Sequence, residues 1–153
     1  MSIEVLDESG RDVDVRRLST LARFVMDRMR VHALAELCIK AVDEQTIAEL
    51  NAQWMEKEGP TDVLAFPLWT SAEKDAEVFY LPPEETTPVG EIVISYPQAA
   101  RQAREGKRPI RSEMALLIVH GVLHLLGYDH VDSRQEDHMW AKQDEVLAKI
   151  PLK

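Results

Sequence analysis

Cysteine is almost missing from this chain. Cys38 is the only one, so no internal disulfide can form, and the usage fits a reducing cytosol. It lies in the alternating run Ala35-Glu36-Leu37-Cys38-Ile39-Lys40 and reads as a small packed residue rather than a reactive one. Long hydrophobic runs are missing too. The longest, Met114 to Leu126, is interrupted by His120 and His124 and falls short of the roughly 20 apolar residues that cross a bilayer. It reads as a buried helix, and no membrane association is expected. The opening residues Met1-Ser2-Ile3-Glu4-Val5 lack the basic region and apolar core of a secretory signal, so a cytoplasmic protein is expected. Positive charge is scarce: 18 Lys and Arg stand against 27 Asp and Glu, a net charge of −9. That is poor footing for a general nucleic-acid binder, whose phosphate contacts rest on Lys and Arg. Repeats, low-complexity tracts and linker-like stretches are also lacking. With 153 residues, 45% hydrophobic and 29% charged, the composition predicts one soluble domain over 1–153 with a full core.

The scarce basic residues are unevenly placed. Arg101, Arg104, Lys107, Arg108 and Arg111 cluster ahead of the longest apolar run, and Arg16, Arg17, Arg23, Arg28 and Arg30 stud an earlier segment. A charged run is usually a solvated face. The 101–111 cluster leads directly into the histidine-bearing segment, which makes Arg104 and Arg108 candidates for binding an anionic substrate.

One segment carries the chemistry. His120-Gly121-Val122-Leu123-His124-Leu125-Leu126-Gly127-Tyr128-Asp129-His130 sets three imidazoles at offsets 0, +4 and +10, with glycine at +7. The first two share a helix face one turn apart. Gly127 can adopt a left-handed backbone, end the helix and turn the chain so that His130 comes round. Three imidazoles leaving one position open describe a catalytic zinc site, one Zn2+ per chain. The spacing is that of the peptidase motif H-E-x-x-H-x-x-G-x-x-H, except that Gly121 replaces the glutamate. In the peptidases that carboxylate is the general base. The motif therefore predicts a metal site and excludes the standard peptidase mechanism. A histidine pair on an apolar helix can also be two core residues bonded to carbonyls, but the third histidine and the glycine favour metal. His32 and His138 fit no ligand spacing.

Element signals surround this segment. Strands are predicted at Ile3–Leu6, Ala35–Val42, Val63–Phe66 and Glu91–Ser95, and helices at about 13–29, 97–105 and 134–148. Asp43 is a plausible N-cap for a helix presenting Ile47, Leu50 and Trp54 on one face, stopped by Gly59-Pro60. Ser112 is placed as the cap of the histidine helix. Residues from about 70 to 89 read as a surface loop. The expected fold is α+β: a small mixed sheet packed with helices, zincin-like, with the metal helix at its centre.

The eleven-residue segment resembles the H-G-x-L-H-L-x-G-Y-D-H signature of the YbeY family. Pro60-Thr61-Asp62-Val63-Leu64-Ala65-Phe66-Pro67 is similar to that family's T-D-V-L-S-F-P segment, and Gly90-Glu91-Ile92-Val93-Ile94-Ser95 to its G-D-I-x-I-S strand. Glu113-Met114-Ala115-Leu116-Leu117 resembles its lead into the metal helix. The resemblance implies a bacterial, cytosolic, zinc-dependent endoribonuclease of single-stranded RNA, without action on DNA. It further implies a role in ribosomal RNA maturation and small-subunit quality control. It makes His120, His124 and His130 the metal ligands. Two positions depart from the family pattern. Met55 follows Trp54 where an arginine is usual, and Ala65 replaces a serine. An arginine there is a natural phosphate ligand, so another cation must fill the role; Lys57 and Arg108 are candidates.

With Gly121 in the base position, another group must take the proton. Asp62, Glu113 and Asp129 are the carboxylate candidates. Each has a structural alternative: capping a turn, biasing a helix start, or holding a ligand imidazole. Asn51 could contact RNA or cap a turn. Two other functions compete with the nuclease: a ribosome-assembly binding factor whose zinc is structural, and a zinc hydrolase of another substrate.

Overall fold

The computed structural model describes residues 2–31, 34–55, 61–67, 87–128 and 132–150. Among these are four strands and five helices. They are β1 (Ser2–Asp7), α1 (Val15–Arg28), β2 (Ala35–Val42), α2 (Glu44–Met55), β3 (Val63–Pro67), β4 (Thr87–Ser95), α3 (Tyr96–Glu105), α4 (Ile110–Leu125) and α5 (Ser133–Ala148). The strands form one sheet in the order β1-β2-β4-β3. β1, β2 and β4 run parallel, and β3 pairs antiparallel with β4. The expected mixed α+β layer is thus present.

Burial follows the pleat. Along β2, Leu37 and Ile39 face the larger core while Glu36, Cys38 and Lys40 face outward, as period-2 alternation requires. The larger core joins Leu37, Ile39, Ile92 and Ile94 of the sheet to Leu21 and Val25 of α1 and to the apolar body of α4. A smaller cluster on the other face holds Val42, Leu64 and Val93 beneath Ile47 of α2. Helix α4 is buried almost all round, from Met114 to Leu125, as expected of a helix enclosed by a sheet and other helices.

Local signals account for most boundaries. Asp14, Asp43 and Asp132 accept hydrogen bonds from the backbone N–H of Arg17, Thr46 and Gln135, closing the starts of α1, α2 and α5. Ser95 does the same for Gln98 at the start of α3, with Pro97 in the first turn. The cap placed at Ser112 is not observed. Helix α4 begins at Ile110 behind Pro109, whose ring fixes an extended N-cap without a side-chain bond, a solution open to proline because its missing N–H costs nothing there. Trp54 also departs from its expected place beside Ile47, being 62% exposed. Strand β4 starts at Thr87, inside the stretch read as loop, with a bulge that lets Val89 pass between Pro88 and Gly90 in register with β2. Gly59-Pro60 and most of the 70–89 stretch lie outside the described residues.

Candidate metal centre

The last two turns of α4 bring two imidazoles together. His120 and His124 stand one turn apart with their Nε2 atoms 3.1 Å from each other. Two ligands on one tetrahedral zinc stand about 3.3 Å apart, given Zn–N bonds of about 2.05 Å, so the donor pair fits one shared ion. On the far side of the first ring, His120 Nδ1 lies 3.1 Å from the Gln143 side-chain oxygen on α5. The Trp140 ring stacks on the same imidazole with centroids 5.6 Å apart.

Helix α4 ends where the sequence says it should. Leu126 is its C-cap, and Gly127 has φ of 99°. Tyr128 N–H reaches the Leu123 carbonyl and Gly127 N–H that of His124, both at 3.0 Å. This closed pair of bonds is the Schellman arrangement, which needs a left-handed residue after the cap. The chain thereby turns at the end of α4. His130 and Asp129 themselves lie outside the described residues.

Gly121, between the two histidines, faces the sheet. A Cβ there would stand 2.9 Å from Ile92 Cδ1 and 3.0 Å from its Cγ2. The position that carries a catalytic glutamate in peptidases is here a close helix–strand contact.

The other candidates gather two turns earlier. Glu113 is only 2% exposed. Its carboxylate accepts from the Arg108 guanidinium and from Gln102 Nε2 at 2.9 Å. The same Gln102 amide lies 3.3 Å from Asp62 Oδ2 at the entry to β3. Arg108, Gln102, Glu113 and Asp62 are therefore one network linking the starts of β3 and α4 to α3. Seven residues separate Glu113 from His120, which is about 10 Å along the helix axis. Arg104 is exposed on α3, whereas Arg101 pairs with Glu44 of α2. Asn51 is buried. Burial, then the charge of Glu91, push the Cys38 thiol up from its ordinary value, so its reactive thiolate is disfavoured.

Gln143, Gln102 and Trp140 were not anticipated from sequence. Gln143 did leave a trace: it shares a helical stripe with Met139 and Val146, all buried, where an apolar residue is the usual choice. A cavity of about 240 Å³ beside the end of α4 is lined by Leu126, Gly127, Tyr128, Gln135 and His138. Tyr128 and His138 stack there with centroids 5.3 Å apart. A larger cavity, about 590 Å³, lies between α1 and the start of α4, away from the imidazoles.

A mixed α+β layer wrapped round one buried helix, with paired imidazoles at that helix's closing end, defines the class of protein. Comparison with known proteins gives the family. Residues 4–151 match the family described as Endoribonuclease YbeY. An Endoribonuclease YbeY from a Nocardioides species is 56% identical over 148 residues, covering 97% of each chain. One from Acidothermus cellulolyticus is 46% identical, covering 96% of this chain and 90% of its own. The solution structure of TM1509 from Thermotoga maritima superposes with a TM-score of 0.61 at 28% identity, covering 95% of this chain and 86% of that one. The chain belongs to the YbeY endoribonuclease family.

Proposed function

We propose that this chain is a zinc-dependent endoribonuclease of single-stranded RNA, acting in the cytoplasm in ribosomal RNA maturation and small-subunit quality control, with residues 1–153 forming one catalytic domain. Membership of a family named for endoribonuclease activity supports the reaction class. The observation that carries the metal reading is the facing Nε2 pair of His120 and His124 at 3.1 Å. His130 completes the proposed ligand set. Among the described residues no helix is long and apolar enough to cross a membrane.

A zinc ion held there supplies Lewis-acid charge to the scissile phosphate and to the attacking water. The chain's own residues supply position and proton transfer. Gly121 offers no carboxylate, so the base comes from elsewhere. Glu113 is buried, already bonded to a guanidinium and an amide, and remote along the helix. Asp62 shares its Gln102 partner. We assign both to holding the β3 entry against α4, which leaves Asp129 as the proton acceptor among the three. Arg104 and Arg108 are the proposed phosphate contacts. The bond to Glu113 uses one end of a guanidinium with five N–H donors, so Arg108 can hold Glu113 and meet a phosphate.

The test is to load wild type and the His120→Ala, His124→Ala and His130→Ala variants with zinc, measure metal content, and incubate each with matched single-stranded RNA and DNA. About one zinc per wild-type chain is expected. So are RNA cleavage abolished by a chelator, intact DNA, and loss of metal and cleavage in each variant. Zinc and RNA binding without cleavage would favour the assembly-factor reading. Full metal content in His130→Ala would remove the third ligand.

A further inference from the structure

We propose that Gln143 is a positioning residue for the metal centre: its side-chain oxygen holds the proton of His120 on Nδ1 and so keeps Nε2 open as a metal donor. The inference rests on the metal reading above and extends it to a residue on a different helix.

A neutral imidazole carries one proton on one of two nitrogens, and the bond made by one nitrogen decides the state of the other. At His120, Nδ1 faces an amide oxygen at 3.1 Å. An oxygen can only accept, so the proton resides on Nδ1. The lone pair on Nε2 then points at His124 Nε2, 3.1 Å away. A cation that takes the place of any proton between the two nitrogens would be shared by both rings. Were the amide turned to present its NH2, Nδ1 would be the acceptor, Nε2 would carry the proton, and the metal would lose a ligand.

The surroundings hold the Gln143 side chain against the imidazole. Gln143 is 7% exposed and sits on the α5 stripe that packs Met139 and Val146 into the core. Placing a polar amide there costs desolvation unless it is bonded, and the bond to His120 offsets that cost. Trp140, one turn earlier on α5, covers the imidazole face with rings inclined at 25°. Helix α5 therefore sets both the tilt of the ring and the seat of its proton. Partners of this kind on ligand histidines are worth about 10–100-fold in metal affinity.

The experiment compares wild type, Gln143→Leu and Gln143→Glu, with His124→Ala as the reference. Zinc affinity is measured by competition with a chromophoric chelator, and thermal unfolding is followed alongside. Histidine tautomers are read by long-range proton–nitrogen NMR on the metal-free protein. The expected result for wild type is His120 protonated on Nδ1. Gln143→Leu should bind zinc about 10–100-fold more weakly with a mixed tautomer. Gln143→Glu, whose carboxylate also accepts from Nδ1–H, should bind at least as tightly as wild type. A wild-type His120 protonated on Nε2 overturns the proposal, and this holds even if the leucine variant fails to fold. So does wild-type zinc affinity in Gln143→Leu while His124→Ala loses the metal, an outcome that leaves the metal centre standing. If His124→Ala keeps full zinc, the metal centre itself is misassigned and the proposal falls with it.

Discussion

The difference between the proposed metal centre and a zinc peptidase comes down to one residue and what it touches. Gly121 is not merely a missing glutamate, because the space a side chain would need is held by Ile92 of β4, itself fully buried. Installing the peptidase residue should therefore damage the fold rather than convert the activity. Overpacking against a buried isoleucine and burial of a carboxylate together should lower the stability of Gly121→Glu by about 2–4 kcal/mol. Gly121→Ala should lose less, since the better helix propensity of alanine returns about 1 kcal/mol. Denaturant unfolding of the three proteins measures this, and neither variant should cleave a peptide library in a chelator-sensitive way. A Gly121→Glu protein with an unchanged midpoint and new peptidase activity would show that the contact is not what excludes the base.

At the scale of elements, helix ends explain why some boundaries were readable and others were not. Aspartates 14, 43 and 132 hold the starts of α1, α2 and α5, and an Asp ahead of a periodic apolar segment is a local signal. Three helices close with the same pair of C-terminal bonds. After α4 the left-handed position holds Gly127, but after α1 and α3 it holds Arg30 and Lys107, with φ of 56° and 55°. A side chain there is strained by about 1 kcal/mol relative to glycine. Arg30→Gly should accordingly raise stability by up to about 1 kcal/mol, seen as a higher thermal midpoint with zinc content unchanged; a lower midpoint would refute the strain. The ends of these two helices were expected at about 29 and 105 and fall at Arg28 and Glu105; only the left-handed turn itself was illegible, because arginine and lysine give no turn signal. The start of α4 was misread for a related reason: Pro109 sets its backbone without the side-chain bond for which Ser112 was chosen. The imidazole pair was fully legible, being four residues apart on one helix. Its partner Gln143 was not, because that contact spans two helices and depends on how α5 packs against α4.

The whole molecule must solve a charge problem, since an endoribonuclease of net charge −9 has to hold a polyanionic RNA. If the strand crosses α3 on its way to the end of α4, affinity comes from a few phosphate contacts against a repulsive background. Binding should then fall with salt at a slope of about −0.7 per phosphate neutralised. The structure also says which charge reversal gives a clean answer. Arg108 holds the buried Glu113, so its loss leaves a carboxylate short of a partner and lowers stability by about 1–3 kcal/mol. Arg104 is exposed on α3 and carries no such role in the network around Glu113. Arg104→Glu should therefore weaken RNA binding and flatten the salt slope by about one phosphate's worth, with thermal midpoint and zinc content unchanged. Arg16→Glu on α1 is the control for net charge and should change binding little. Equal losses in the two variants would mean that only the overall charge is felt. Unchanged binding by Arg104→Glu at every salt concentration would place the RNA off α3 and move the search to the stacked Tyr128 and His138 beside the other end of α4.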